Sequence, residues 1–590
     1  MGIVVIAHFF FLLFFCNHYK RVIKGANLQC DKLDTVLFAM CDDEPVQIDL
    51  DNFREGIIIG GGTCGLAVAS RLCENHPGSL FTEDEHQRFH WLKQRGHKTN
   101  KVKSNYRFDY DKFRPEDLLV IDARGDNFMA QWDAQFNACQ IPYLRSPMFF
   151  HVDPSDIDGM ISFAHLNRRE NELMEITNVV GKEFSKHKQK RIKQKLKLND
   201  GIVDINMRDW KDYYRPGTNL FHDYCEEVVE RYGLKNSIVN DEVVDMEHKL
   251  IQSGEELGKG FVIRTMSGKV YGCKFAVVAS GHKGKINYPL SICPKAQFPH
   301  GSCHTTHLFS DQVKFLDPQY FANPKRKNIV IVGGGLTSAQ LAHVACLDST
   351  VNKAHLLFRS GIKIKHFDFH LDWVAKYKNV KKSSFYNLDT NELKYEMMND
   401  AREGGSINPE YYKKLKQHVK SGRLNWLTET QVVAQEWENG SWRLLFQNKG
   451  SCVTAVDEID YIYYATGIQA DIESLPFLQT MLDQYPIDVC NGYPAITDNL
   501  QWNKEVPLYV VGKNAALQVG PTSANLDGAR LGAERIGWHL QNMKLQGEFD
   551  WSPVKVVTNE VNNSTTFNKR LQLAGGLINW FELLELDKIN

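Results

Sequence analysis

Residues 328–342 read NIVIVGGGLTSAQLA, and each part of that string has a physical use. A short β-branched run leads into Gly333, Gly335 and Ser338 in a G-x-G-x-x-S pattern, and a helix-forming sequence follows. This is the pattern of a dinucleotide-binding turn. The first glycine permits a tight bend, the second lets backbone N–H groups approach a pyrophosphate, and a small third residue lets the helix pack closely. The helix N-terminus adds its dipole. Residues 56–69, GIIIGGGTCGLAVA, offer the same device with Gly60, Gly62 and Gly65. Two such turns in one chain predict an α/β protein with a use for two dinucleotides.

The surroundings of the two turns repeat as well. Downstream of the first, residues 261–281 (FVIRTMSGKVYGCKFAVVASG) read as strand, tight turn and buried strand, closing at Gly281. Downstream of the second, residues 442–467 (WRLLFQNKGSCVTAVDEIDYIYYATG) do the same and close at Gly467. The first unit is the longer, so it carries an insertion in which the features peculiar to this protein are expected.

The residues that would meet a ribose differ between the units. After the first turn, the apolar run SLF is followed by Glu83, a carboxylate able to accept both hydroxyl protons of a ribose, with Asp84 and Glu85 as rivals. After the second, AHLLFRSG ends on Arg359, with Lys363 and Lys365 just beyond. A guanidinium there suits the 2′-phosphate of NADP, the alternative being an exposed strand-end arginine. Residues 507–536 add a strand ending at Gly512, a glycine–proline loop and a helix opening near Asn525, whose dipole would stabilise a reduced flavin.

Composition bounds the partners. The chain has 590 residues, 43% hydrophobic and 24% charged, enough for large cores and two or three domains. Seventy basic and 71 acidic residues leave a net charge of −1, which speaks against nucleic acid as a partner. The 13 cysteines are scattered and form no C-x-x-C, which fits a reduced, cytoplasmic-facing compartment and removes the usual zinc spacings. No metal is expected. Residues 3–16, IVVIAHFFFLLFFC, precede Lys20, Arg21 and Lys24; they fall short of the ~20 residues of a membrane span and lack the layout of a signal peptide. They read either as a weak membrane anchor or as an incidental extension.

Gly60, Gly62, Gly65 and Glu83, the Gly333 to Ser338 turn, ATG at 465–467 and the closing VVG…GP…NL.GAR…AERI resemble the FAD- and NADPH-dependent two-dinucleotide-domain oxidoreductases. Within them the chain is most similar to the N-hydroxylating flavin monooxygenases, such as L-ornithine and L-lysine N-monooxygenases, over residues 54–545. The resemblance implies two Rossmann-like domains, with an NADPH domain (325–430) inserted into an FAD domain (54–324 and 431–545). A 1–53 extension and a 546–590 tail flank them. It implies FAD held at the first turn and NADPH at the second, with Gly467, Gly512 and Asn525 completing the cofactor sites. It further implies a flavin C4a-hydroperoxide that passes oxygen to a nucleophilic nitrogen or sulfur of a small molecule, with no side chain singled out as catalytic. An NADPH:acceptor reductase and a regulatory protein that keeps the fold are the alternatives.

The chain also departs from its relatives. Gly512 is followed by Lys513 and Asn514 where many of them carry Asp. FPHGSCHTTH at 298–307 lacks the spacing of the F-x-G-x-x-x-H fingerprint of the Baeyer–Villiger and classical flavin monooxygenases, and no dithiol of the thioredoxin-reductase type is present. Within the insertion, Gln131 and Trp132 are candidates to lie near the isoalloxazine, and Arg145 and Ser146 to bind a phosphate. Met129, Trp132 and Phe136 read equally as a helical core stripe. Tyr214 and Arg215 either shape a substrate cavity or simply open a helix. The basic run at 182–200 reads as a solvated surface, and His366, Asp368, His370 and Asp372 as surface or packing residues.

Overall fold

The computed structural model describes residues 44–74, 77–80, 113–177, 179, 213–281, 284–290, 298, 300–319, 327–374, 378–449, 453–549 and 551. The apolar stretch at 3–16, Glu83 and its two acidic neighbours, and the basic run at 182–200 lie outside them. The chain divides into two units, Met1–Gln47 and Ile48–Asn590. Of the first, only residues 44–47 are described, and they include the two-residue strand Val46–Gln47.

The second unit opens with β1 (Phe53–Ile59), the first glycine turn and α1 (Thr63–Leu72). Ile57, Ile58 and Ile59 are all buried, the mark of a parallel strand covered on both faces. Next come β2 (Leu118–Asp122), α2 (Ala130–Ala138), α3 (Thr218–Arg231) and β3 (Ile238–Asn240). A meander of β4 (Val243–Ser253), β5 (Glu256–Thr265) and β6 (Val270–Val278) then returns the chain to the other side of β1.

The same sequence of events follows in a second sheet. Beyond β7 (Lys285–Ile286) lie β8 (Ser302–His304), β9 (Lys327–Val332), α4 (Leu336–Leu347) and β10 (Val351–Leu357). After β11 (Leu424–Leu427), the antiparallel meander β12 (Thr430–Glu438), β13 (Ser441–Asn448) and β14 (Val453–Ile459) leads into β15 (Tyr461–Tyr464) and β16 (Ile468–Gln469). The chain then rejoins the first sheet through β17 (Gln501–Asn503) and β18 (Val506–Val510), and its last described helix is α5 (Leu526–Leu545).

Each sheet therefore contains five parallel strands in the same relation: β18–β6–β1–β2–β3 in the first and β8–β15–β9–β10–β11 in the second. The registers match. Val510, Val278, Ile59 and Ile121 form one row across the first sheet; His304, Tyr464, Val332 and Leu357 form the corresponding row in the second. Each row ends the strand immediately before a glycine turn. The second sheet draws strands from 302 to 464, and the first takes its outer strand from near the end of the chain. The antiparallel pair β7–β16 joins the segments leaving β6 and β15.

α1 is held against α5 by a buried cation. Arg71 is fully buried; its Nε donates to Glu534 Oε2 at 2.7 Å, and its guanidinium lies 4.7 Å from the Trp538 ring centre. Gly537 makes room for it, since a Cβ there would stand 2.9 Å from the arginine side chain. Removing one partner of such a pair strands the other charge in the interior. Arg71→Ala is therefore expected to lower stability by about 3–5 kcal/mol, read from urea unfolding, whereas an unchanged midpoint would mean that the pair is not holding α1 to α5.

Candidate dinucleotide sites

The first turn is tight because its backbone leaves no space for side chains. Gly60 has φ +114°, and a Cβ there would lie 2.5 Å from the carbonyl of Ala279; one on Gly65 would lie 1.9 Å from the Gly60 carbonyl. Gly62 differs: the space where its Cβ would project is open, as an approaching pyrophosphate requires. Gly61 between them is held on both sides. Its N–H donates to Asp122 Oδ2 at 2.6 Å, and its carbonyl accepts from the Met129 N–H at 2.9 Å. Met129 sits at φ 69°, a left-handed conformation uncommon for its residue type, and it opens α2.

Asp122 terminates β2, the strand beside β1, and its Oδ1 also accepts from the Arg124 N–H at 2.7 Å. This is the position from which an acid meets a ribose in a dinucleotide fold. The sequence expectation gave that role to Glu83, after SLF, which lies outside the described residues; Gly78–Leu80 before it is a 3-10 helix, and β2 is the strand that pairs with β1. The signal available in the sequence was the apolar run LLVID.

On the far side of the first turn, Gly281 at φ 71° also faces open space, and the adjacent Ser280 hydroxyl is buried with no hydrogen-bond partner. Asn525 caps α5, its side chain accepting from the N–H groups of Asp527 at 3.0 Å and Gly528 at 3.4 Å. Gly512, at φ 80°, follows β18 beside Cys64 of the first turn. The open glycine positions and the unpartnered hydroxyl fit a dinucleotide.

The second turn is built alike. A Cβ on Gly333 would lie 2.4 Å from the Ala465 carbonyl, while Gly335 and Gly467 face open space. Ser338 takes the third position by turning its hydroxyl back, donating toward the carbonyls of Gly333 at 2.9 Å and Gly335 at 2.7 Å. Arg359 is exposed, just past the end of β10. Lys363 and Lys365 are engaged elsewhere: they donate to the carbonyls of Glu403 and Arg402, and Lys365 also pairs with the Glu403 carboxylate at 2.7 Å. Arg359 makes no ion pair among the described residues.

Other candidates have structural duties. Trp132 stacks on Phe136 at 3.8 Å, and Gln131 donates to the Phe309 carbonyl at 2.9 Å. All three guanidinium nitrogens of Arg145 are used within residues 365–368 and at Ser406, including a 2.5 Å contact to Asp368. That arginine clamps the segment after β10 and leaves no nitrogen free for a phosphate. Arg215 pairs with Glu410, and the two line a small cavity of about 70 Å³ together with Arg145 and Asn408. No cluster of three or more metal-ligating side chains occurs among the described residues. At the end of α2 a cavity of about 400 Å³ is lined by Phe136, Gln140, Tyr143, Glu172 and Thr218.

No family model matches the chain, and no curated protein matches it. Solved structures do. The ornithine hydroxylase of Pseudomonas aeruginosa matches 83% of this chain and 99% of its own at a TM-score of 0.53 and 16% identity. The L-lysine 6-monooxygenase of Pseudomonas syringae covers the same shares at a TM-score of 0.52 and 16% identity. An ornithine N-hydroxylase of Kutzneria, solved with reduced FAD, NADP+ and L-ornithine, reaches a TM-score of 0.54 at 12% identity, over 83% of this chain and all of its own. The fold is that of the N-hydroxylating flavin monooxygenases.

One residue in this N-hydroxylase fold ties the two sheets together. Lys513, directly after Gly512, donates from Nζ to the Ile468 carbonyl at 2.7 Å, one residue beyond Gly467. Burial, helped by the charge of Arg402, pushes its pKa down to about 8. The folded chain thus gives up this proton more readily than the unfolded chain, which binds it up to the ordinary 10.5. The stability contribution therefore rises as pH goes from about 8 to 10.5. Lys513→Met should remove that slope, so the difference in urea midpoint between variant and wild type should drift toward the wild type across this range; a constant difference would show that Lys513 titrates normally.

Proposed function

We propose that the chain is an FAD-containing, NADPH-dependent monooxygenase that oxygenates a nucleophilic nitrogen of a small amine, with molecular oxygen as co-substrate. The observation that carries this reading is the pair of matching five-stranded parallel sheets, each ending in a glycine turn left open to a ligand. They occur in a fold whose solved examples include hydroxylases of ornithine and lysine.

The residues divide by sheet. Gly60, Gly62 and Gly65 cradle the FAD pyrophosphate, and Asp122 offers its remaining lone pairs to the ribose while its two oxygens hold the turn. Gly512 and the capped N-terminus of α5 at Asn525 lie toward the flavin, where the helix dipole favours negative charge. Gly333, Gly335 and Ser338 receive the NADPH pyrophosphate, Gly467 leaves room beside it, and Arg359 meets the 2′-phosphate. The NADPH-binding domain is inserted in the FAD-binding domain, whose outer strand β18 arrives last. FAD, when bound, supplies the oxygen-activating chemistry; the protein binds, orients and excludes water.

With NADPH and oxygen, a primary amine of the ornithine, lysine or cadaverine type should accelerate NADPH oxidation and yield hydroxylated amine in near-equal amount. Peroxide formed mole for mole with NADPH consumed, and no product from any amine, would point to a reductase. Separately, Arg359→Ala removes a charge-assisted contact of about 1.5–3 kcal/mol. It should raise the KM for NADPH by about ten- to a hundredfold and leave that for NADH nearly unchanged; an unaltered NADPH/NADH preference would exclude Arg359 from the site.

A further inference from the structure

The two glycine turns are held in different ways. In the first, the middle glycine, Gly61, is gripped by hydrogen bonds on both its N–H and its carbonyl. In the second, the bond from the Gly333 N–H to the Leu357 carbonyl at 3.0 Å matches the one from Gly60 to the Ile121 carbonyl at 2.9 Å. The equivalent of Gly61 is then Gly334, and neither its N–H nor its carbonyl has a hydrogen-bond partner among the described residues. A turn without such a grip would lose affinity to being ordered by its ligand.

Another glycine takes over that duty by contact. Gly405 lies so close to the turn that a Cβ on it would stand 2.9 Å from the Gly334 carbonyl carbon and the Gly335 nitrogen, and 3.0 Å from the Gly334 oxygen. Only a residue without a side chain fits against that peptide. The peptide carries the Gly335 N–H, one of the groups that would meet a pyrophosphate. Gly335 still faces open space where its own Cβ would project, so the contact with Gly405 leaves that side of the turn clear.

Gly405 is itself fixed from several directions. Its neighbour Ser406 is buried and accepts from Arg145 through both its carbonyl, at 3.2 Å, and its hydroxyl, at 2.9 Å. The same guanidinium holds the carbonyls of Lys365, His366 and Phe367 in the chain alongside. The two stretches pair there: the Lys365 N–H donates to the Ile407 carbonyl at 3.0 Å, and the Ile407 N–H to the Lys363 carbonyl at 2.9 Å. Before the glycine, Lys365 pairs with Glu403 at 2.7 Å, and Arg402 donates to the Pro521 carbonyl at 3.1 Å in the loop ahead of α5.

We propose that the loop at 403–406 is the support of the second dinucleotide turn, with Gly405 fixing the Gly334–Gly335 peptide and Arg145 acting through Ser406 as a positioning residue for NADPH. The arginine expected from the sequence to bind a phosphate thus serves the dinucleotide without touching it. The insertion that follows the first turn braces both turns, the first through Met129 and the second through Arg145. This inference rests on the assignment of NADPH to the second turn.

The test is the dissociation constant of NADP+ and the KM for NADPH in Gly405→Ala, Arg145→Met and Arg145→Lys, with flavin content measured alongside. Gly405 is exposed, so alanine there adds a methyl group at the contact and disturbs no core. It should weaken NADP+ binding by about tenfold, with the loss in the KM for NADPH more than in kcat and with flavin content unchanged. Arg145→Met should show a loss of the same kind, and Arg145→Lys, which keeps a charged donor, should recover part of it. Wild-type NADP+ affinity in Gly405→Ala would overturn the inference and leave the NADPH assignment intact. Tighter binding by that variant would also overturn it, by showing that the loop obstructs the turn. Loss of flavin and NADP+ together in Arg145→Met, with no recovery in Arg145→Lys, would show a packing role and overturn the part given to Arg145. If the wild-type chain binds no NADP+ and its flavin is not reduced by NADPH, the assignment and the inference fall together.

Discussion

Gly61 is gripped from both sides, by the Asp122 carboxylate on its N–H and by the Met129 N–H on its carbonyl, and the first site depends on that grip. A pyrophosphate cradle works only if backbone N–H groups keep their direction without a ligand, because a turn that must be ordered on binding loses affinity to that ordering. Asp122 fixes the turn to the neighbouring strand, and Met129 fixes it to the insertion at the cost of a left-handed backbone. The insertion is thereby made part of the first turn. Its helix α2 then carries the Trp132–Phe136 stack onto Phe221 of α3.

The same constraint explains how two similar sheets serve different ends. Both must end in a glycine turn packed against a neighbouring carbonyl, Ala279 in one case and Ala465 in the other. What differs is peripheral to that turn: Asp122 at the end of β2 against Arg359 just past the end of β10, and Val510 against His304 on the outer strand. The sheets are joined by the β7–β16 pair and by cationic contacts that reach from one to the other. Lys513 donates to Ile468, Arg402 donates to the Pro521 carbonyl at 3.1 Å, and Lys382 approaches Asp527 at 3.3 Å. The last two come from the segment after β10 and end on the loop and first turn of α5, so the residues expected beside a flavin are also those that meet the second sheet.

Local chemistry was legible in the sequence. The two glycine turns, the strands closing at Gly281 and Gly467, and the cap at Asn525 are each written in a few consecutive residues, because steric exclusion and capping act over one turn of chain. Pairing is different. Asp122 did not stand out in the sequence because its place depends on which strand lies beside β1, and a long segment separates β1 from β2. Arg145 looked like a phosphate ligand because its partners, the carbonyls of residues 365–367, carry no sequence signal at all.

The central claim is that the two sheets hold two different dinucleotides and that one delivers to the other. Anaerobic titration of purified wild type, Gly62→Val and Gly335→Val with NADPH, followed by flavin absorbance, tests it most directly. Wild type should carry one FAD per chain and bleach with one equivalent of NADPH. Gly62→Val should be isolated without flavin, and Gly335→Val should keep its flavin but resist bleaching. Folded wild-type protein free of flavin, or equal flavin loss in both variants, would contradict the account.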